Sequence, residues 1–239
     1  MEWLDLTFPT PEANLACEEA LLDECEERGG PEVLRFWEHP RHFVVLGQSN
    51  HIASEIDLDA CAREGIPVFR RRSGGGTVVQ GPGCLNYALV LRMSADPAFG
   101  TITGTNGAVL QRIASALQPL VEGRITLEGQ SDLTIDGLKF SGNAQRRRLK
   151  TLLFHGTLLH GLDMALVERA LRMPAKQPAY RNGRRHSNFL RSIPVESVRI
   201  KEALCEAWRA TEVCHRVPTE RMEELIRKRY GAREWITRL

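Results

Sequence analysis

The chain has 239 residues, of which 42% are apolar and 26% charged, and its net charge is +2. That length holds one large domain or two small ones with ample core, and the near-balanced charge excludes binding driven by bulk charge alone. No stretch is long and apolar enough for a membrane span, and MEWLDLTFPTPEANLACEE has no apolar run of signal-peptide type. The six cysteines (Cys17, Cys25, Cys61, Cys84, Cys205, Cys214) show no CxxC pair, and the seven histidines form no HExxH. Free thiols in a reducing cytoplasm, and no structural metal, are expected.

A helix is expected over Glu12–Arg28, with Leu15, Ala16, Ala20 and Leu21 on its apolar side and Gly29-Gly30 as its stop; Glu18, Glu19, Glu26 and Glu27 are read as solvated. VLRFWEH from Val33 and HFVVLGQ from His42 read as strands around a turn at Pro40. A short helix over Asp57–Glu64 then leads to the strand IPVFRRR. CLNYALVLRM reads as a buried strand, and Asn106–Val121 has helical spacing. ITLEGQSDLTIDGLKFSGNAQ reads as a hairpin turning at Asp136-Gly137, and TLLFHGTLLHG from Thr151 as another strand. Helices near Met164–Met173, Val195–Thr211 and Thr219–Tyr230 follow, the first two separated by the loop KQPAYRNGRRHSN. The interleaving predicts one mixed α/β or α+β domain over residues 1–239.

Chemistry concentrates in RRRSGGGTVVQGPGC, Arg70–Cys84. It is neither a Walker A loop, since Pro82-Gly83 replaces Lys and Ser or Thr, nor GxGxxG, since Val79 takes the third glycine position. Its physical content leaves two readings open. Gly74, Gly75 and Gly76 can turn several backbone N–H groups toward one anion, with Arg71 and Ser73 beside them, or the segment is a tight turn with a basic strand end. Further along, Lys139 stands before Ser141-Gly142-Asn143-Ala144, and His155-Gly156-Thr157 follows an arginine-rich connection. Lys139 taken alone is equally an exposed strand lysine, and His155 equally a packed structural histidine.

NLACEEALL at Asn14, VVLGQSN at Val44, RRRSGGGTVV at Arg70, GQSDLTIDGLKFSGNAQ at Gly129 and HGTLL at His155 occur in the order of the lipoate–protein ligase A family, within the wider biotin/lipoate A/B protein ligase group. RRHSNFLRSIP from Arg184 and the final RYGAREWITRL resemble its later segments, so the resemblance spans nearly the whole chain. It implies a biotin/lipoyl ligase-like α+β catalytic domain, with a mostly antiparallel or mixed central sheet flanked by helices.

It also implies an ATP-dependent activity. Lipoate or octanoate would be converted to acyl-AMP and passed to a lysine of a lipoyl carrier domain, in a 2-oxoacid dehydrogenase E2 subunit or the glycine cleavage H protein. By the family pattern Lys139 is the catalytic electrostatic group. Arg71, Ser73, Gly74, Gly75, Gly76, Thr77, Asn86, Asp132, Gly142, Ala144, His155, Gly156 and Thr157 border lipoate and ATP. Mg2+ accompanies ATP, with Asp132 the nearest candidate ligand by motif position. Strands around Val44, Val78 and Leu89 are expected to line an acyl tunnel, or simply to pack.

Two departures qualify this. Gln80-Gly81 stands where the ligases often carry His-Asp, and Gln80-Gly81-Pro82-Gly83 is closer to the octanoyltransferases, which use a cysteine thiolate. Cys84 is the one thiol near the expected site, read either as that nucleophile or as a small buried hydrophobe. The chain is also expected to lack the C-terminal accessory domain of many ligases, which makes a separate accessory protein a candidate partner. A nucleic-acid-binding module built on Arg70–Arg72, Arg146–Arg148 with Lys150, and Arg184-Arg185 is the different-class alternative. Against it, Arg146–Arg148 and Lys150 also read as a solvated loop, or as a steering surface for an acidic carrier.

Overall fold

The computed structural model describes residues 1–239. In chain order the strands are β1 (Glu2–Asp5), β2 (Val33–Trp37), β3 (Phe43–Leu46), β4 (Val68–Arg70), β5 (Val78–Gln80), β6 (Cys84–Arg92), β7 (Ile125–Glu128), β8 (Asp132–Ile135), β9 (Leu138–Arg147), β10 (Thr151–Leu159) and β11 (Glu212–Val213). The helices are α1 (Pro11–Arg28), α2 (Ile52–Glu55), α3 (Leu58–Arg63), α4 (Ile102–Leu117), α5 (Met164–Ala170), α6 (His186–Phe189), α7 (Ser197–Trp208), α8 (Thr219–Leu225) and α9 (Arg233–Ile236). A π-helical turn, Ile226–Tyr230, continues α8, and α6 lies within the segment read as a plain loop.

Eight strands form one mixed sheet in the order β11-β1-β2-β6-β10-β9-β8-β7, antiparallel except where β1 runs parallel to its two neighbours. A smaller sheet, β4-β3-β5, lies against it. The Asp136-Gly137 turn forms as expected, with φ of 54° and 70°, and joins β8 to β9.

β6 shows why its sequence reads as a nearly continuous apolar run. Leu85, Tyr87, Leu89 and Leu91 pack with Val109, Ile113 and Leu204, from α4 and α7, on one face. Ala88 and Val90 pack with Leu15 and Leu22 of α1 on the other. Both faces are buried, so period-two alternation leaves Asn86 as the one clearly polar residue before Arg92. Trp37 stacks on Phe43 at 6.2 Å between ring centres, which ties the small sheet to the α1 side of the large one.

Thr10 caps α1 by accepting from the Ala13 N–H, and Gly29 (φ 67°) ends it. The reading of Glu18 and Glu19 as solvated is wrong: every residue from Asn14 to Asp23 is buried. The helix is covered by β10 and β6 on one side and by α8 and the π-turn on another, so its carboxylates must find partners. Glu19 pairs with Arg146 and with Arg229 (2.6 Å) and accepts from the Tyr230 hydroxyl (2.7 Å). Asp23 pairs with Arg148 (2.6 Å) and Arg221 (2.8 Å).

The same pairs correct the reading of Arg146–Arg148 as a solvated loop. Arg146 and Arg147 belong to β9, and all three are engaged, Arg147 donating to the Phe99 carbonyl at 2.5 Å.

Candidate functional site

Strand register assembles the floor of the site. Asn86 of β6 lies opposite Thr157 of β10, and Thr157 opposite Gly142 of β9; two residues on, Ala88, His155 and Ala144 form a second row. Because side chains alternate, Asn86, Thr157, Gly142, His155 and Ala144 all face α1 and the small sheet. Gly156 points the other way, toward Asn143, whose amide accepts from the Tyr87 hydroxyl (2.5 Å) and donates to the Ser131 carbonyl (2.8 Å).

The glycine turn forms the roof. Gly74, Gly75 and Gly76 are exposed, and their N–H groups donate to no protein acceptor. Gly75 has φ of 88°, and a Cβ there would lie 2.8 Å from Arg71 Nη2 and 3.6 Å from the Ala144 side chain, so the turn sits directly over β9.

Arg71 braces this turn from inside. Its guanidinium donates to Gly74 O (2.6 Å), Gly76 O (2.8 Å), Val45 O (3.3 Å) and Ser73 Oγ (3.1 Å). Burial lowers its pKa to about 10, with Glu18 opposing the shift. Arg70 is wholly buried and donates to Asn50 O (2.6 Å), Gly47 O (3.1 Å) and Ile236 O (3.0 Å). Thr77 Oγ1 lies 3.0 Å from the Asn50 side chain. With two of its three arginines spent on carbonyls, this stretch offers no basic face.

Lys139 lies across Gly142. A Cβ at Gly142 would come within 2.7 Å of Lys139 Nζ, so glycine is what lets the lysine cross the site floor. Asp132 holds the amine at 2.8 Å through one carboxylate oxygen and accepts from the Tyr180 hydroxyl (2.7 Å) through the other. Burial and the Asp132 charge push the Tyr180 phenol well above its ordinary value.

The residue that sequence reasoning missed is Glu18. Its Oε2 lies 2.5 Å from His155 Nδ1, and His155 Nε2 lies 2.6 Å from Ser73 Oγ. Trp37 Nε1 donates to Glu18 Oε1 (2.8 Å), and the Arg35 guanidinium stands 3.9 Å away. Burial alone would raise the Glu18 pKa. The charges of His155 and Arg35, with hydrogen bonds from His155 and Trp37, outweigh burial and hold it below the usual carboxylate range. A narrow, mostly charged cleft with room for about one water lies here, lined by Glu18, Glu19, Arg72, Arg146, Leu153 and His155 among others.

The three strands expected to line an acyl tunnel do not face one cavity. Leu89 faces the opposite side of the sheet and Val44 faces the core beneath the small sheet, so only Val78 packs toward α1. Cys84 is fully buried with Val44, Leu46, Leu159 and Leu162, and burial pushes its thiol up to about 12. It is a core residue, not an exposed thiolate. No group of three or more His, Cys, Asp or Glu side chains is arranged to hold a metal ion, and no helix is long and apolar enough to cross a membrane.

The fold is that of lipoate protein ligases. Among solved structures, the bi-partite lipoate protein ligase of the archaeal lipoylation system of Thermoplasma acidophilum, studied with its E2 lipoyl domain, superposes with a TM-score of 0.81 at 23% identity, covering 99% of this chain and 95% of that one. The lipoyl protein ligase A/B catalytic domain model matches residues 10–220, and the chain belongs to that family.

An Aeropyrum pernix relative that bears the name lipoate-protein ligase A is 32% identical over 168 residues, 70% of this chain and 60% of that protein. The octanoyltransferase LipM of Carboxydothermus hydrogenoformans is 27% identical over 256 residues, covering 94% of each chain. The chain spans 56–60% of the length of the first three ligase-named relatives that it matches.

Proposed function

We propose that the chain activates lipoate or octanoate with ATP and transfers the acyl group from acyl-AMP to a lysine of a lipoyl carrier domain. The observation that carries this is the meeting of Lys139 and the unpartnered N–H groups of Gly74–Gly76 over one sheet face. A carboxylate and a triphosphate repel one another, and negative charge moves onto pyrophosphate as the anhydride forms. Fixed cations and N–H dipoles on that face are the groups that stabilise such a shift. Lys139 is a cation on this floor, and Asp132 keeps it extended across Gly142.

Mg2+ fits as a companion of the ATP phosphates rather than as an ion in a protein cage. Both Asp132 oxygens already have partners, and three-ligand clusters are absent. Mg2+ would supply charge neutralisation of the phosphates, and the chain's own residues supply positioning.

The likeness to LipM over 94% of both chains supports a second reading, transfer from octanoyl-acyl carrier protein. A cysteine route lacks its thiol here: Cys84 is sealed in the core, and Cys17 and Cys25 of α1 are buried, with pKa values raised by burial. The fold shared with a ligase described as bi-partite, and studied with an E2 lipoyl domain, supports a lipoyl domain as acceptor and a separate accessory protein as partner.

The test is mass spectrometry of a lipoyl domain incubated with the protein, comparing lipoate plus ATP and Mg2+ with octanoyl-acyl carrier protein and no ATP. An accessory protein is added in parallel arms. Modification under the second condition only would remove the ATP-dependent reading.

A further inference from the structure

The loop between α5 and α6 carries Tyr180 in a short helical turn, Ala179–Arg181. Its ring tilts against Phe189 of α6 at 5.2 Å between centres, and Gly129 passes close to it: a Cβ there would lie 3.4 Å from Tyr180 Cε1. Arg181 and Arg184 stand over the same Phe189 ring, at 4.6 and 5.3 Å, and Arg184 ties the segment to the β8–β9 hairpin by donating to Gly137 O at 3.1 Å. The phenol is thereby aimed, and it donates to Asp132 Oδ2 at 2.7 Å. The other carboxylate oxygen lies 2.8 Å from Lys139 Nζ.

The hairpin itself turns the lysine toward this carboxylate. The register of β8 and β9 slips between Leu133 and Thr134, so Lys139 lies opposite Thr134, Gly142 lies opposite Asp132, and Phe140 is the extra residue. Opposed residues share a face, so the slip brings lysine, glycine and aspartate onto the site floor. Regular alternation would put Lys139 and Gly142 on opposite faces. The Tyr180 segment also grips the lysine by its main chain: Arg191 N donates to Lys139 O at 2.9 Å, and Leu190 pairs with Lys139 in a parallel bridge. One stretch of chain therefore holds Lys139 at both ends, its backbone directly and its amine by way of Asp132.

A carboxylate paired with an ammonium can only accept, so Tyr180 is the donor, and burial and the Asp132 charge keep its phenol protonated by raising its pKa. That second donor fixes the carboxylate plane. It also takes up part of the negative charge that would otherwise pull on the amine. A lysine held by one shared oxygen stays extended across Gly142, yet can turn its remaining protons to an incoming anion.

We propose that Tyr180 is a positioning residue that sets the place of Lys139 through Asp132, and with it the rate of acyl adenylation. This rests on the reading of Lys139 as the electrostatic group for that step. The role needs no contact between Tyr180 and lipoate or ATP, so its loss shows in the rate rather than in substrate affinity.

The experiment uses the full chain with Tyr180→Phe, which keeps the ring and removes only the hydroxyl, with Asp132→Asn, and with both. Pyrophosphate release with lipoate, ATP and Mg2+ gives kcat and KM. Acetic anhydride labelling, mapped by peptide mass spectrometry, reads the Lys139 amine against Lys201, which pairs with Asp5. Tyr180→Phe should lower kcat about tenfold, the scale of a hydrogen bond to a charged group, with KM and the thermal transition unchanged. Made in Asp132→Asn, the same substitution should change kcat less than about twofold, because the two residues act in series. Lys139 labelling should slow in Tyr180→Phe, where the whole Asp132 charge falls on the amine, and quicken in Asp132→Asn.

A kcat unchanged by Tyr180→Phe, a loss carried by KM alone, or an equal loss in the Asp132→Asn background overturns the proposal. So does Lys139 labelling that Tyr180→Phe leaves unaltered. Normal wild-type adenylation with no effect of Tyr180→Phe sinks this proposal alone. Wild-type protein that releases no pyrophosphate sinks the ATP-dependent reading, and the labelling rates then still decide whether Tyr180 positions Lys139.

Discussion

Glu18 Oε2 and His155 Nδ1 lie 2.5 Å apart, which joins the first helix to a central strand of the sheet through a largely buried pair. The carboxylate also faces Arg35, which has no solvent exposure, so removing the charge leaves a cation without its counter-charge in the core. Glu18→Gln is expected to lower the unfolding free energy by about 3 kcal/mol, the usual scale for breaking a buried pair from one side. Chemical denaturation followed by tryptophan fluorescence measures this. A change below about 0.5 kcal/mol would show that the pair contributes little.

Acid sensitivity follows from the same helix. Burial alone would raise the Glu18 and Glu19 pKa values, but the opposing effects of His155 and Arg35 on the first, and of Arg146, Tyr230 and Arg229 on the second, leave both below the ordinary carboxylate value of 4.5. Each therefore binds protons less readily folded than unfolded. Their contribution is fully present above pH 4.5 and falls away as pH drops through the lowered folded values. Thermal transition temperatures measured from pH 7 downward should hold until about the ordinary carboxylate range and then decline. The decline should be shallower in Glu19→Gln, measured from that variant's own neutral-pH value.

Lys139→Ala is expected to reduce adenylate formation by about 100-fold or more, the scale for removing one preorganised electrostatic group. Stability should change little, because the side chain is partly exposed and paired at the site rather than in the core. Pyrophosphate release assayed with lipoate and ATP reads the first expectation, and a thermal melt the second. Unchanged pyrophosphate release would remove Lys139 from its role.

Gly142→Ala tests the same lysine without touching it. The added methyl would meet the Lys139 amine end at 2.7 Å, and a flexible side-chain end can move aside. The protein should fold with near-normal stability while kcat for adenylation falls about tenfold or more, reflecting the misplaced charge. Retained kcat would mean that the observed Lys139 position is not the working one.

Arg71→Lys should loosen the glycine turn. A lysine cannot reproduce donation to Gly74 O, Gly76 O, Val45 O and Ser73 Oγ together, so some buried acceptors lose their partners. A loss of about 1–3 kcal/mol and faster hydrogen exchange in residues 72–77 are expected. Exchange unchanged in that segment would contradict the bracing role.

Much of the architecture was legible because it depends on local patterns. The strand beginning at Cys84, the Asp136-Gly137 hairpin and the stop of the first helix at Gly29 all follow from neighbours in sequence. What could not be read is where a charged residue points once elements pack. Glu18 and Glu19 look like the solvated side of a helix until β10 and the C-terminal helix cover them. Arg70 and Arg71 look like ligand-seeking cations until the fold presents carbonyls to them, those of Gly47, Asn50 and Ile236 to Arg70 and those of the glycine turn to Arg71. The one available hint was the helix itself, whose apolar and acidic residues do not separate cleanly onto two faces, as a helix covered on several sides requires. The register of β6, β9 and β10 then decides which motif residues share a face, separating His155 and Thr157 from Gly156.

The central claim is ATP-dependent acyl transfer governed by Lys139, and intact-mass analysis of a lipoyl domain tests it most directly. With lipoate, ATP and Mg2+, supplemented by an accessory protein where one is required, the domain should gain one lipoyl group in the presence of wild-type protein and none with Lys139→Ala. A domain that stays unmodified under those conditions yet gains an octanoyl group from octanoyl-acyl carrier protein without ATP would contradict the account.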